Sequence, residues 1–368
     1  MPKRRRAPPE EALARVVLGG HLGVRRGEPV TVESWSHALP WARAMVVEAR
    51  RRGARPTLLV EDESAFFRSL EALGSSAVAR LRPPDAGPGG AWVYLDGPEE
   101  FPRLLGLPAK DLERILARHD RAWWSRARRG RVRGLRVAVG DATAPAAARF
   151  GVDREAWESE LLRASLVGPE ELELRAQPVL RRLAHSRRLR VRHPNGTDLR
   201  LELAPRPPTV DIGRPDPPHG VVWARVPAGL VIAPLRPRAT DGTWETNRPA
   251  YDRYAQPSVA LGGRFVFRRG RLTEFAFDRG GGPFASAQLR AGPGAVRAVA
   301  LTIGLNPAID FAPEFQELGA GTLGLWLGEA TYRPDLGRPR IAFLAALTEA
   351  SVEADDRPRT PARPAPRR

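Results

Sequence analysis

A chain of 368 residues, 42% hydrophobic and 27% charged, has the composition of a globular protein and the length of two ordinary domains. It holds no cysteine, which excludes disulfides, thiolate zinc sites and cysteine nucleophiles. Net charge is +17, yet nine of those charges lie in two Pro- and Arg-rich ends, residues 1–9 and 357–368, so the body is only mildly basic. These ends cannot bury apolar surface and are expected to be disordered basic tails. No apolar run approaches the ~18–20 residues that span a bilayer, and "VVLGGHLGV" is too short for a secretory leader. A cytoplasmic protein that does not enter the membrane is the expectation.

Residues 10–152 alternate between two periods. "EEALARVVLGGHLGV" has helical spacing and "EPVTVES" reads as a strand. "ALPWARAMVVEARRRG" is an amphipathic helix ending in arginines and Gly53. "RPTLLVED" reads as a buried strand, followed by a helix around Ser64–Leu73. "AWVYLDG" and "LRVAVGD" are further strands, separated by the helix "AKDLERILARHDRAWW". This alternation predicts an α/β domain, a parallel sheet with helices on both faces. Residues 153–185 read as a helical connector. A β-rich α+β domain is expected over residues 186–356, with hairpins turning at Asn195-Gly196 and Arg269-Gly270.

The order of several segments resembles the thermophilic aminopeptidases, metallopeptidases of the aminopeptidase T and aminopeptidase S type. The segments are "LPWARAMVVEARRRGARPTLLVED", "VYLDGPEE", "HPNGTDLRLEL", "FVFRRGRLTEFAFDRGG", "IGLNPAI" and "GTLGLWLG". The resemblance implies a two-domain fold, a homodimer, and removal of N-terminal residues from peptides by two adjacent metal ions such as zinc or cobalt. Such chemistry needs carboxylates and histidines to hold the cations and an acid or base for the attacking water.

The positions that match the family's ligands carry none of these groups. Val221 stands for the glutamate of Pro-x-Gly-Glu-Val, and Ala300 for the glutamate before Gly-x-Asn. Gly324 stands for the histidine of Gly-Thr-x-His, and Ala342 and Leu344 for the pair in Ile-His-Trp-Asp. No histidine follows His219, so no realignment of the last third of the chain supplies one. The same count excludes the ring-cleaving iron-dependent dihydroxypyridine dioxygenases, which are similar in scaffold. The expected picture is a degenerate site without metal or other cofactor, in a protein that binds a peptide or serves as a partner subunit. Arg225, Asn306, Trp326 and Tyr332 are expected to line the relic cleft, with Trp326 alternatively core and Asn306 alternatively a turn cap.

Two rival readings remain open. His219, Asp211 and Asp216 share one loop and could form a relocated metal site, which would restore a leucyl-aminopeptidase-like activity. "WWSRARRGRVRGLR", residues 123–136, sets six arginines beside two tryptophans and could contact nucleic acid. No nucleic-acid motif accompanies it, so a solvated loop before a strand is preferred, and nucleic acid is not the expected partner.

Overall fold

The structure, a computed structural model, describes residues 8–78, 90–95, 97–108, 110–112, 114–115, 129, 132–219, 221–236, 238–251, 259–282, 284–285, 296–313, 315–328 and 343–355. The chain forms two compact units: residues 1–170 with 212–228, and residues 171–211 with 229–368.

The first unit is built on a parallel sheet. Strands β1 (Pro29–Trp35), β2 (Arg55–Glu61), β3 (Ala91–Leu95) and β4 (Arg133–Val137) are joined by β8 (Trp223–Val226), in the order β2-β1-β3-β4-β8. Three strands of the second unit, β5 (Arg188–Arg192), β6 (Asp198–Glu202) and β7 (Thr209–Asp211), come between β4 and β8 in sequence. Helix α1 (Pro9–Arg15) runs on as a π-helical turn, Val16–His21, and α2 (Leu39–Arg51) follows β1. In α2, Trp41, Ala42, Met45, Glu48 and Ala49 are buried, the i, i+3, i+4 stripe of a core-facing helix. Gly53 closes it at φ 72°, a conformation that suits glycine. Residues Val30, Val32, Val93, Leu95, Leu135, Val137 and Val226 form one sheet face and pack with the apolar sides of α1 and α2. The opposite face carries Trp35, which meets Phe66 of α3 (Glu63–Val78) edge-on at 5.2 Å. Helices therefore touch both faces. Short helices α4 (Phe101–Leu105) and α5 (Ala144–Phe150) complete the layer, with α6 (Arg154–Ser165).

The structure corrects the sequence reading in three places here. "RPTLLVED" is a strand but stands at the sheet edge, with Leu58 and Val60 exposed rather than buried. "LRVAVGD" leaves the sheet at Val137 and turns into a 3-10 helix over Ala138–Asp141. Residues 212–228, expected in the β-rich domain, belong to the first unit because Trp223–Val226 pairs with Gly134–Val137.

The second unit begins within α7 (Pro169–Ala184), at Glu171. Its six-stranded antiparallel sheet has the order β14-β13-β10-β6-β5-β18. The new strands in it are β10 (Asp241–Glu245), β13 (Arg264–Arg268), β14 (Arg271–Ala276) and β18 (Ser351–Ala354). A five-stranded antiparallel sheet, β17-β16-β15-β9-β7, contains β9 (Leu230–Pro234), β15 (Arg297–Gly304), β16 (Leu323–Gly328) and β17 (Phe343–Leu347). Strands β11 (Ala250–Tyr251) and β12 (Val259–Ala260) form a short pair. Five phenylalanines, Phe265, Phe275, Phe277, Phe284 and Phe343, make an aromatic cluster with centroid separations down to 4.8 Å.

The hairpin turns differ. Arg269 and Gly270 both take positive φ, 47° and 74°, as the two-residue turn requires. At the other hairpin only Gly196 does so; the Asn195 side chain accepts from Thr197 N at 3.1 Å and donates to Glu245 O at 2.8 Å. Asn195 there works through its amide rather than through a left-handed backbone.

Candidate functional site

Three of the positions that the resemblance sets against metal ligands come together in the second unit. Ala300 of β15 and Leu344 of β17 are both in register with Trp326 of β16, and Gly324 lies two residues from Trp326. Residues in register, and residues two apart on a strand, share one face of a sheet. Ala300, Thr302, Gly324, Trp326, Leu344 and Ala346 therefore form one patch on the five-stranded sheet.

The patch is packed tight around Gly324, while Trp326 and Leu344 are half-buried at its margin. Ala300 and Thr302 are fully buried, and the Thr302 hydroxyl donates to the Gly324 carbonyl at 3.2 Å. A Cβ added at Gly324 would lie 2.7 Å from Leu344 Cδ1 and nearer still to Thr302 Oγ1. An imidazole has no room there unless the backbone or Leu344 moves. Methyl, isobutyl and hydrogen side chains offer no donor atoms to a cation, so these residues do not fit the two-metal group that the resemblance implies. Ala342 lies outside the described residues.

Val221 does not share in this packing. It belongs to the first unit, is 45% exposed, and its backbone bonds Asp216 in both directions, at 2.6 and 3.0 Å. The expected apolar filling therefore fails at this position. His219 begins and ends no regular strand, lying in the 3-10 turn Pro217–His219, and its side chain is outside the described residues. Asp211 sits on β7 paired with Leu230, in the second unit, while Asp216 and His219 are in the first. Among the described residues no three His, Cys, Asp or Glu side chains gather as a metal site.

The expected cleft-lining residues are dispersed in role. Asn306 is fully buried and organises a loop: its Oδ1 accepts from Ala308 N at 3.0 Å, and its backbone bonds Leu318 and Ala320. That is the turn-capping alternative, in a family-like "IGLNPAI" segment. Trp326 is half-buried on the patch. Arg225 lies on β8 in the first unit, in register with Arg136 of β4. Tyr332 lies outside the described residues.

Of the Arg-rich segment 123–136, Trp123 and Trp124 lie outside the described residues. Its described end, Arg133–Arg136, is strand β4, where Arg133 pairs with Glu28 at 2.5 Å and Leu135 is fully buried. This part of the segment is sheet, and its first arginine is engaged.

Two titratable groups escaped the sequence reading. Glu33 lies on the sheet face opposite α1 and α2, and burial pushes its carboxyl up to about 8, opposed by Trp92 Nε1, which donates to Oε2 at 3.1 Å. The nearby Glu61 raises it further. His21 is buried, with Nδ1 at 2.9 Å from the Gly213 carbonyl, and burial lowers its pKa to about 4. Neither stands in a motif; only a covered strand face and a helix end packed on a distant loop distinguish them.

No known family profile matches the chain, and no curated protein sequence does. Solved structures do. The chain is similar to wild-type AmpT from Thermus thermophilus, with a TM-score of 0.65 and 19% identity, 94% of each chain being covered. It is also similar to 2,5-dihydroxypyridine dioxygenase from Pseudomonas putida KT2440, with a TM-score of 0.55 and 14% identity over 95% of this chain and 94% of that one. At such identities the likeness concerns the fold alone: a parallel sheet with helices and an antiparallel β-rich region.

Proposed function

We propose that this chain uses an aminopeptidase-like scaffold to bind peptides without hydrolysing them. The observation that supports it is the packed patch around Gly324, where Leu344 and Thr302 occupy the space a histidine ligand would need. Loss of the cations would leave any retained carboxylates buried and mutually repelling, so their replacement by aliphatic groups is the stable outcome. An enzyme that had only exchanged its metal would keep substituted donors at these positions. A fold does not carry a chemistry once its site is gone. The scaffold remains, and with it β-rich surfaces on which an extended peptide can lie.

The test has three readouts on the full chain. After incubation with zinc, cobalt or manganese and gel filtration, the protein is expected to retain no stoichiometric metal. Leucine amide is expected to remain uncleaved, and a fluorescent peptide library to yield saturable binders. Gly324→His is expected to lower stability by about 1–3 kcal/mol, as overpacking does, without gain of metal. Near-stoichiometric metal with turnover would return the metallopeptidase reading. A folded protein that binds no peptide would remove the peptide-binding one.

A further inference from the structure

A row of polar side chains crosses the face of the parallel sheet that α1 and α2 do not cover. Glu33 of β1 is in register with Tyr94 of β3, Tyr94 with Arg136 of β4, and Arg136 with Arg225 of β8. Residues in register on parallel strands share a face and stand about 4.8 Å apart from strand to strand. All four belong to the first unit, and all four are half-buried. On the other face of the same sheet Val32, Val93 and Leu135 are sealed from solvent. The row also lies near the strand ends: Tyr94, Arg136 and Arg225 are each the last residue but one of their strand. Open α/β sheets take their ligands at the carboxyl ends of parallel strands, where successive connections leave a strand in opposite directions. β1 is such a strand, with β2 on one side of it and β3 on the other.

Two guanidiniums side by side repel one another, and an oxyanion held between them reverses that. Each carries five N–H donors in a planar fork, more than a single partner uses, so both can grip one carboxylate or phosphate. The acids on the described strands of this face are Glu33 and Glu61, and burial raises both. Glu33, pushed up to about 8, keeps its proton at neutral pH and sets no charge against an anion. Two indoles fix the uncharged end of the row: Trp92 Nε1 donates to Glu33, and Trp35 Nε1 to the Tyr94 hydroxyl at 3.4 Å. The rings of Trp92 and Trp223, 6.4 Å apart, border the row toward the amino ends of the strands, and Trp35 with Phe66 borders it toward the carboxyl ends. Such apolar borders favour an anion with an organic body over a bare hydrated one. We propose that the row is a binding site for a small organic anion, its carboxylate or phosphate held by Arg136 and Arg225 and its body lying over Tyr94 toward Glu33. The site does not depend on the packed patch around Gly324, since no residue of the second unit takes part.

Titration calorimetry on the full chain with benzoate, phenyl phosphate and inorganic phosphate tests this. Benzoate or phenyl phosphate is expected to bind saturably, one per chain; which of the two binds tells a carboxylate ligand from a phosphate one. Arg136→Gln and Arg225→Gln are each expected to weaken that binding about tenfold or more, because one fork is lost. Arg136→Lys and Arg225→Lys are expected to fall between, since lysine keeps the charge without the fork. Arg175→Gln removes an exposed arginine paired with Glu171 and is expected to change nothing, which separates the site from an effect of net charge. Circular dichroism of each variant excludes unfolding; if a glutamine variant fails to fold, the lysine variants decide. The proposal is overturned by a wild type that saturates with neither organic probe, by binding of inorganic phosphate alone, or by binding that is indifferent to both arginines or equally weakened by Arg175→Gln.

Discussion

At the residue scale, burial of ionisable groups gives the sharpest expectations. Glu33 has a folded pKa near 8, above its ordinary 4.5, so the folded state holds a proton that the unfolded state releases. Its contribution is intact below 4.5 and lost as pH rises toward 8. Glu33→Gln keeps an acceptor for Trp92 Nε1 and is expected to stabilise the protein at pH 9 relative to wild type, with no difference at pH 4. His21 has the opposite sense: its folded pKa lies below 6.5, so stability falls as pH drops from 6.5 toward 4. Denaturant midpoints measured across this range should therefore peak between the two losses and broaden on the alkaline side in Glu33→Gln. How much of this was legible in sequence differs by residue. The absence of late histidines is a count and needed no structure, whereas Glu33 sits in "PVTVES" at a position that alternation assigns to a solvated face. What covers that face comes from distant segments, which periodicity cannot report.

At the element scale, the turns and edges are where local sequence and tertiary context part. Arg269-Gly270 was readable as a hairpin turn, but Arg269 is held at φ 47°, where a branched or long side chain is strained. Arg269→Asn should stabilise by roughly 0.5–1 kcal/mol, since asparagine tolerates this region and the bond from the residue's N–H to Asp241 Oδ1 is retained. Thermal denaturation of the single variant checks it. By contrast, "RPTLLVED" announces a strand and hides its place. Runs of Leu and Val look alike at the centre and at the margin of a sheet, because strand order is set by crossovers and not by the strand's own residues.

At the scale of the whole molecule, the sequence revealed the two architectures, α/β and then β-rich, through the change of period near Ser186. It did not reveal that the first unit is discontinuous. The four residues "WARV" of β8 carry no turn signals of their own, and only pairing with β4 shows where they belong. Nor could the count of ligands foretell that Val221 would be exposed while Ala300, Gly324 and Leu344 close on one another, since the first depends on a loop bridge and the others on three adjacent strands.

The late arrival of β8 bears on how the protein is made. A ribosome releasing the chain from its amino end delivers four strands of the parallel sheet long before the fifth, with all of β5, β6 and β7 emerging in the interval. Until Trp223 settles over Gly134 and beside Trp92, at 6.4 Å between ring centroids, one margin of the nascent sheet stays unsealed. A product ending at residue 185 should accordingly be insoluble or protease-sensitive, whereas a circular rearrangement that places residues 212–228 directly after 170 should yield a soluble first half; limited proteolysis of the two would tell them apart.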